Sequence, residues 1–453
     1  MAMNDVFDVK RYGATGDGVT VDTRAIQQAV DECHKSGGGA VVLSGGTFVS
    51  GTIVLKSNVN LQLNPSAVLL ASPDIRDFAE DTHYNRYINE KDMDRCFIYA
   101  EDAVNVSISG QGEINGNAEK FPNEGSIFRP MMMRFLRCSN IHVTGLRLYN
   151  STAWTTAFLD SENIWCENLD IRNDKKYNGD GLDYDGCRNV FISGCKILGT
   201  DDNLCLQAGS KDYPMKNVHI VNCHFTSICA GIRIGLKSIG DISSVTIHNC
   251  TFENVWREGI KIECTEGGSI SDIVASGLVM RNVSRPVFIL LNNRLEEIGS
   301  SIGLERMPEI GSLERIMLSD IIATDDEEMY MTHYRFTDDI MGSPSFNGIR
   351  IDACREHPIR DLILRNIMYT CAGGVQNAVI PAAYPQVHDM RLEHPEAVAE
   401  NYYPDWSRTT FMDIRNVERL TVDGIRFHAL REDTRESYII EGSNTLKLDI
   451  MEY

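Results

Sequence analysis

The sequence predicts an all-β chain wound as a single-stranded, right-handed parallel β-helix, and three observations carry that expectation. A short motif recurs: Asn or a charged residue, alternating aliphatics, then Gly, Asn or Cys. It reads Asn140-Ile-His-Val-Thr-Gly-Leu-Arg-Leu, Asn163-Ile-Trp-Cys-Glu-Asn-Leu-Asp-Ile, Asn189-Val-Phe-Ile-Ser-Gly-Cys-Lys-Ile and Asn217-Val-His-Ile-Val-Asn-Cys-His-Phe. It continues in Ser244-Val-Thr-Ile-His-Asn-Cys-Thr-Phe and Asp272-Ile-Val-Ala-Ser-Gly-Leu-Val-Met. The copies from Asn140 to Asp272 start roughly 23 to 28 residues apart, the length of one solenoid coil. Within each copy, two runs of period-two alternation are broken by Gly, Asn or Asp, which gives strands and turns rather than helices.

No copy can bury its own apolar side alone, but coils stacked in parallel close one continuous core. Weaker copies begin near Asn105, Arg315, Asp361 and Arg419, separated by longer insertions. A chain of 453 residues is usually divided into domains, yet a solenoid grows by adding coils, and no Pro/Ser-rich linker interrupts this one. The expectation is a single domain over residues 1–453, with coils over about 40–450.

The N-terminal part carries the one helical pattern. Thr23-Arg-Ala-Ile-Gln-Gln-Ala-Val-Asp-Glu-Cys-His places apolar residues at helical spacing, with Asp22 in position to cap its start and Gly37-Gly38-Gly39 beyond its end. A helix over about 20–35 then covers the open N-terminal edge of the solenoid. In the middle of the chain, Cys195, Cys223 and Cys250 hold the same place in three consecutive copies, which predicts a buried ladder with a spacing of about 4.8 Å. A ladder does not converge on a metal. His219, His224 and His248 follow strand alternation rather than ligand spacing, so no metal and no organic cofactor are expected.

A net charge of −21 and a pI near 4.9 argue against nucleic acid and anionic membranes as partners. No stretch approaches a membrane span. Thirteen cysteines in a long chain that opens without a basic region and apolar run read as reduced thiols, which predicts a cytoplasmic location. Oligomeric state is not legible, because long solenoids occur alone and in assemblies.

Two segments about one coil apart, Asn178-Gly179-Asp180-Gly181 and Gly199-Thr200-Asp201-Asp202, gather three aspartates on one face of such a stack. Clustered carboxylates repel and raise at least one pKa, so one can hold a proton near neutrality while its neighbours stay ionised. Backbone capping alone does not account for Asp201-Asp202, because adjacent like charges in one turn cost stability. Asp183 and Asp185, alternating in the next strand, read as structural.

The opening Phe7-Asp-Val-Lys-Arg-Tyr-Gly-Ala-Thr-Gly-Asp-Gly, the helix, Gly37-Gly-Gly-Ala-Val-Val-Leu and Gly45-Gly-Thr-Phe resemble the start of the polygalacturonase-like enzymes of glycoside hydrolase family 28. That family carries Asn-Thr-Asp, Gly-Asp-Asp, Gly-His-Gly and Arg-Ile-Lys in order. Here the first two read Asn178-Gly179-Asp180 and Thr200-Asp201-Asp202. The resemblance implies inverting hydrolysis of an O-glycosidic bond, with Asp201 as general acid and Asp180 and Asp202 holding and deprotonating the attacking water. That chemistry calls for carboxyl groups about 6.5 to 9.5 Å apart.

The other two motifs depart from the family. Cys229-Ala230-Gly231 lacks the histidine, and Lys261-Ile262-Glu263 replaces one cation of a pair that grips a galacturonate carboxylate with an anion. A different sugar is expected. Asn178, Arg233, Lys261 and Glu263 are the candidate substrate-binding residues; the competing readings are a solvent-facing strand residue for Arg233 and a surface pair for Lys261 and Glu263. The family's downstream tyrosine is replaced near Asn292-Asn293-Arg294. Insertions holding Tyr330, Tyr334, Phe336, Tyr384, Tyr402, Tyr403 and Trp406 suit a walled cleft where aromatic faces stack on sugars, which favours exo-action on short oligosaccharides. A β-elimination lyase acting on uronic acids and a non-catalytic carbohydrate-binding β-helix are the alternatives.

Overall fold

A computed structural model describes residues 6–80, 95–122, 129–176, 178–293, 309–325, 348–374 and 409–453. The seven aromatic residues from Tyr330 to Trp406 lie outside them. The chain falls into two compact units, Met1–Asn203 with Asn217–His219, and Leu204–Lys216 with Ile220–Tyr453. Both are built from coils of a right-handed parallel β-helix.

In the first unit three strand columns run side by side. One holds Cys96–Glu101, Met131–Leu136, Thr156–Leu159 and Leu182–Asp185, paired in parallel and in register. A second holds Val59–Leu63, Val104–Gly110, Ser139–Thr144, Glu162–Glu167 and Arg188–Ser193; the third holds Ala67–Ala71, Glu113–Asn115, Arg147–Tyr149, Asp170–Asn173 and Lys196–Gly199. In the second unit Ile232, Ile260 and Val287 stack as one inward file, and Ile234, Ile262, Ile289, Ile351 and Ile414 as another.

The reason for the motif's leading residue is conformational. Asn105, Asn140, Asn163, Asn189, Asn217, Ser244, Asp272, Arg315, Asp361 and Arg419, the first residues of every strong and weak copy, all have φ between 54° and 60°. A left-handed residue turns the chain at the same point of each coil, and Asn tolerates it best among residues with a side chain. In the first unit the asparagine amides also form a chain: Asn105 donates to Asn58, Asn140 to Asn105, Asn163 to Asn140, Asn189 to Asn163 and Asn217 to Asn189, at 2.8 to 3.2 Å. The last three steps span 23, 26 and 28 residues. The second unit uses charge at the same position, with Arg315 donating to Asp272 and Arg419 to Asp361.

Inside the first unit Phe135, Phe158 and Tyr184 stack with centroids 5.0 and 4.9 Å apart, all buried. On the outer side His142, Trp165, Phe191 and His219 stack likewise, which accounts for His219 by packing. Cys195, Cys223 and Cys250 are buried free thiols. In the second unit the Cys223 thiol, by hydrogen bonding, and then burial hold the Cys250 thiol far above its ordinary range. His224 and His248 bond to Thr251 and Ser276.

The helix α1 (Thr23–Lys35) buries Ile26, Ala29, Val30 and Cys33 against the strands Val6–Asp8, Gly39–Leu43 and Ile53–Val54. Asp22 precedes it, but its side chain does not cap it as expected. The carboxylate accepts instead from the Thr15 and Gly16 amides and the Thr15 hydroxyl, tying the preceding loop to the helix start. Three donors from one loop outbid a single helix amide. No helix among the described residues is long and apolar enough to cross a membrane.

The asparagine column gives a two-part test. Replacing Asn163 by Ala should cost about 1–2 kcal/mol for the left-handed backbone and about 1 kcal/mol for the lost amide bonds. Replacing it by Gly should incur only the second cost. Urea unfolding of the two variants measures the difference, and equal losses would show that backbone conformation is not what selects Asn there.

Candidate active site

The aspartates are set by ladder bonds that continue out of the strands into the turns. The Thr155 amide donates to the Asp180 carbonyl at 3.1 Å, the Gly181 amide to the Asp202 carbonyl at 3.1 Å and the Leu182 amide to the Asn203 carbonyl at 2.9 Å. Asp180 therefore stacks between Thr155 and Asp202. Approach this close requires glycine: a Cβ on Gly181 would lie 2.2 Å from the Asn203 carbonyl oxygen, and one on Gly199 would lie 2.5 Å from that of Gly179. The Thr200 hydroxyl accepts from the Gly179 amide and donates to the Lys176 carbonyl, locking the two turns together.

The carboxyl groups are almost wholly withdrawn from water. Asp180 is 5% exposed, Asp183 4% and Asp202 2%, whereas Asp201 is only half-buried. Asp180 Oδ1 is buried and accepts no hydrogen bond among the described residues. Burial first, then the charges of Asp201, Asp183 and Asp202, push the Asp180 carboxyl well above the usual carboxylate range. Asp180 thus favours its protonated form in the free protein. Asp183, read from the sequence as structural, belongs electrostatically to this cluster.

Asp201 is held at both oxygens. Oδ1 accepts from the Asp202 amide at 2.8 Å and Oδ2 from the Asn178 side-chain amide at 3.4 Å. Asn178 itself sits in the left-handed region, φ 53°, and its Oδ1 accepts from the buried Arg129. Arg129 has no sequence signal beyond an isolated cation before Pro130, and sequence reasoning missed it. Asp201 and Asp202 each offer a carboxylate oxygen, and these lie within 4.8 Å of each other.

The remaining candidates lie in the second unit. Arg233 and Lys261 are register partners, and Glu263 pairs with Gly235. Arg233 is 6% exposed, and Lys261 and Glu263 are 0% exposed, so neither a solvent-facing Arg233 nor a surface pair describes them. Arg233 Nε donates to Glu263 at 2.8 Å; Lys261 Nζ lies 3.4 Å from Glu258 and 3.9 Å from Glu263; Arg285 lies 3.8 Å from Glu258. Burial of these charges is offset by opposite-sign neighbours, three cations sharing two carboxylates. Glu258 and Arg285 were not foreseen, since they fall outside the motif that drew attention to Lys261 and Glu263.

Residues 40–297 match the family described as Glycosyl hydrolases family 28. The chain belongs to glycoside hydrolase family 28. It is 28% identical over 296 residues to a probable polygalacturonase of Vitis vinifera, covering 60% of each chain. It is 22% identical to an exo-poly-α-D-galacturonosidase of Dickeya chrysanthemi, over 64% of this chain and 57% of that one. The chain thus spans under two thirds of the length of these two relatives. The structure of a Yersinia enterocolitica family 28 exopolygalacturonase superposes with a TM-score of 0.73 at 18% identity, covering 98% of this chain and 78% of that one. That likeness shows the β-helix fold.

A carboxyl whose folded pKa is raised disfavours folding once it ionises. Below the unfolded value of about 3.9 the group is neutral in both states and costs nothing; the penalty grows as pH rises past that value and levels off above the folded pKa. Replacing Asp180 by Asn should therefore stabilise the family 28 chain at pH 7, by on the order of 1–3 kcal/mol, with the gain vanishing as pH falls toward about 4. Urea unfolding across that range reads it. A gain independent of pH would mean that Asp180 is not held protonated.

Proposed function

We propose that the chain is an inverting glycoside hydrolase that acts from the end of a short pectin-related or other plant-type oligosaccharide, without metal or organic cofactor. The observation that carries the reading is the Asp180, Asp201, Asp202 cluster, whose buried Asp180 carboxyl is left with an unsatisfied oxygen among three further carboxylates. A purely structural turn has no use for such an arrangement. Asp201, the most exposed of the three, delivers the proton to the glycosidic oxygen, and Asp180 and Asp202 hold and deprotonate the water. The three titrate as one coupled set, so the proton resting on Asp180 in the free protein passes to Asp201 as substrate and water enter.

The family resemblance also bears on substrate choice. The cations that the family resemblance would assign to a uronate carboxylate, Arg233 and Lys261, are already matched by Glu263 and Glu258. That supports a neutral sugar at the cleaved bond rather than the polygalacturonate backbone. Exo-action is supported by the name of the Dickeya chrysanthemi relative. Thirteen buried free thiols support work in the reducing cytoplasm.

Inversion and retention are the two stereochemical courses open to a pair of carboxyl groups. NMR of the first-formed anomer separates the two, and inversion is expected. A panel of aryl glycosides with galactosyl, rhamnosyl and galacturonosyl oligosaccharides should show turnover of neutral substrates and little of polygalacturonate. Asp201→Asn should lower kcat by about 10²–10⁴-fold on the best substrate. Unchanged turnover would remove Asp201 as the acid, absorbance from an unsaturated uronide would establish a lyase, and silence across the panel would establish a binding protein.

A further inference from the structure

We propose that Arg129 is a positioning residue for Asp201, acting through the side-chain amide of Asn178; this rests on the reading of Asp201 as the proton donor. Arg129 is 2% exposed. Its Nη1 donates to the Thr152 carbonyl at 3.1 Å and its Nη2 to Asn178 Oδ1 at 3.1 Å. The Thr152 hydroxyl donates in turn to the Pro130 carbonyl at 2.6 Å, so the guanidinium fork is anchored on the coil before it reaches Asn178.

The chemistry of the donors fixes which way the amide faces. An amide has an acceptor end and a donor end of nearly equal size, whereas a guanidinium only donates. The end of Asn178 facing Arg129 must be Oδ1, and Nδ2 is thereby aimed at Asp201 Oδ2, 3.4 Å away. With the Asp202 amide on its other oxygen, the Asp201 carboxyl is held against rotation. Proton transfer to a leaving oxygen depends on that orientation.

Placing a neutral amide between cation and acid has a specific merit. A guanidinium bonded directly to Asp201 would hold it ionised and unable to donate. Through the Asn178 amide, Arg129 transmits orientation to the Asp201 carboxyl. Lysine cannot take the same part, because one ammonium on a flexible stem does not present two parallel donors to acceptors on two different coils.

The test is a double-mutant cycle on the full chain, using the glycoside that the unmodified enzyme turns over best. Arg129→Met should lower kcat by about 10²-fold with KM nearly unchanged, the signature of lost alignment rather than lost binding. Asn178→Ala should give a similar loss, and Arg129→Met with Asn178→Ala should be no slower than Asn178→Ala alone. Thermal unfolding accompanies each variant. Should Arg129→Met fail to fold, Arg129→Lys, which keeps the buried charge and loses the fork, carries the same cycle and the same expectation of a kcat defect absorbed by Asn178→Ala. Additive losses would overturn the proposal, since Arg129 would then act by another route. So would kcat within about twofold of the unmodified enzyme in Arg129→Met. Asp201→Asn distinguishes the failures: if it is inactive while Arg129→Met is not, only the positioning role falls, whereas full turnover by Asp201→Asn removes the acid reading itself.

Discussion

A left-handed residue at a fixed place in each coil governs this molecule. Each copy of the repeat turns at a residue with φ near 55°, and because the turn recurs at the same place, successive strands enter in the same register. A slip of one residue would send every inward isoleucine and phenylalanine to the outer face. In the first unit the constraint is reinforced by the asparagine chain from Asn58 to Asn217, in which each amide is both donor and acceptor. The aspartate cluster depends on this regularity. Asp180 lies over Asp202 because Thr155, Gly181 and Leu182 continue the same ladder beyond the strand ends.

That placement comes at a thermodynamic cost. Four carboxyl groups share one end of a strand column, two of them in adjacent residues, and glycines at 181 and 199 are needed to let the turns approach. Desolvation is the largest single burden on Asp180, followed by repulsion from Asp201, Asp183 and Asp202 in turn. Shedding a charge by taking up a proton is the cheapest relief open to a buried carboxyl without a counter-ion. The raised pKa of Asp180 thus stands beside the half-buried Asp201.

Much of this was legible in the sequence, and the exceptions have physical causes. The repeat could be read because a left-handed turn admits few residue types and recurs at coil length, so even the weak copies at Arg315, Asp361 and Arg419 were locatable. The helix Thr23–Lys35 and the buried cysteines followed from periodicity. The use of Asp22 did not, since a carboxylate at a helix start can bond forward to the helix or back to the loop, and the choice is tertiary. Arg233, Lys261 and Glu263 were readable as sharing a face but not as buried, because alternation cannot tell an outer face in water from one that is covered. Arg129 was invisible: its partners Thr152 and Asn178 lie 23 and 49 residues away, and no local pattern encodes them.

The two buried charge clusters differ in a way that bears on their purpose. In the second unit Arg233, Lys261 and Arg285 share Glu263 and Glu258, and a paired set of this kind can persist for structural reasons alone, since removing either acid would strand its partners. In the first unit the acids meet acids. Of the cations near them, Arg129 donates to the Thr152 carbonyl and the Asn178 amide, and Lys176 to the Phe121 carbonyl. A fold optimised for stability alone would replace Asp180 with asparagine. That contrast between a paired set and a buried carboxyl with an unsatisfied oxygen is what favours the first cluster over the second as the proposed seat of the chemistry.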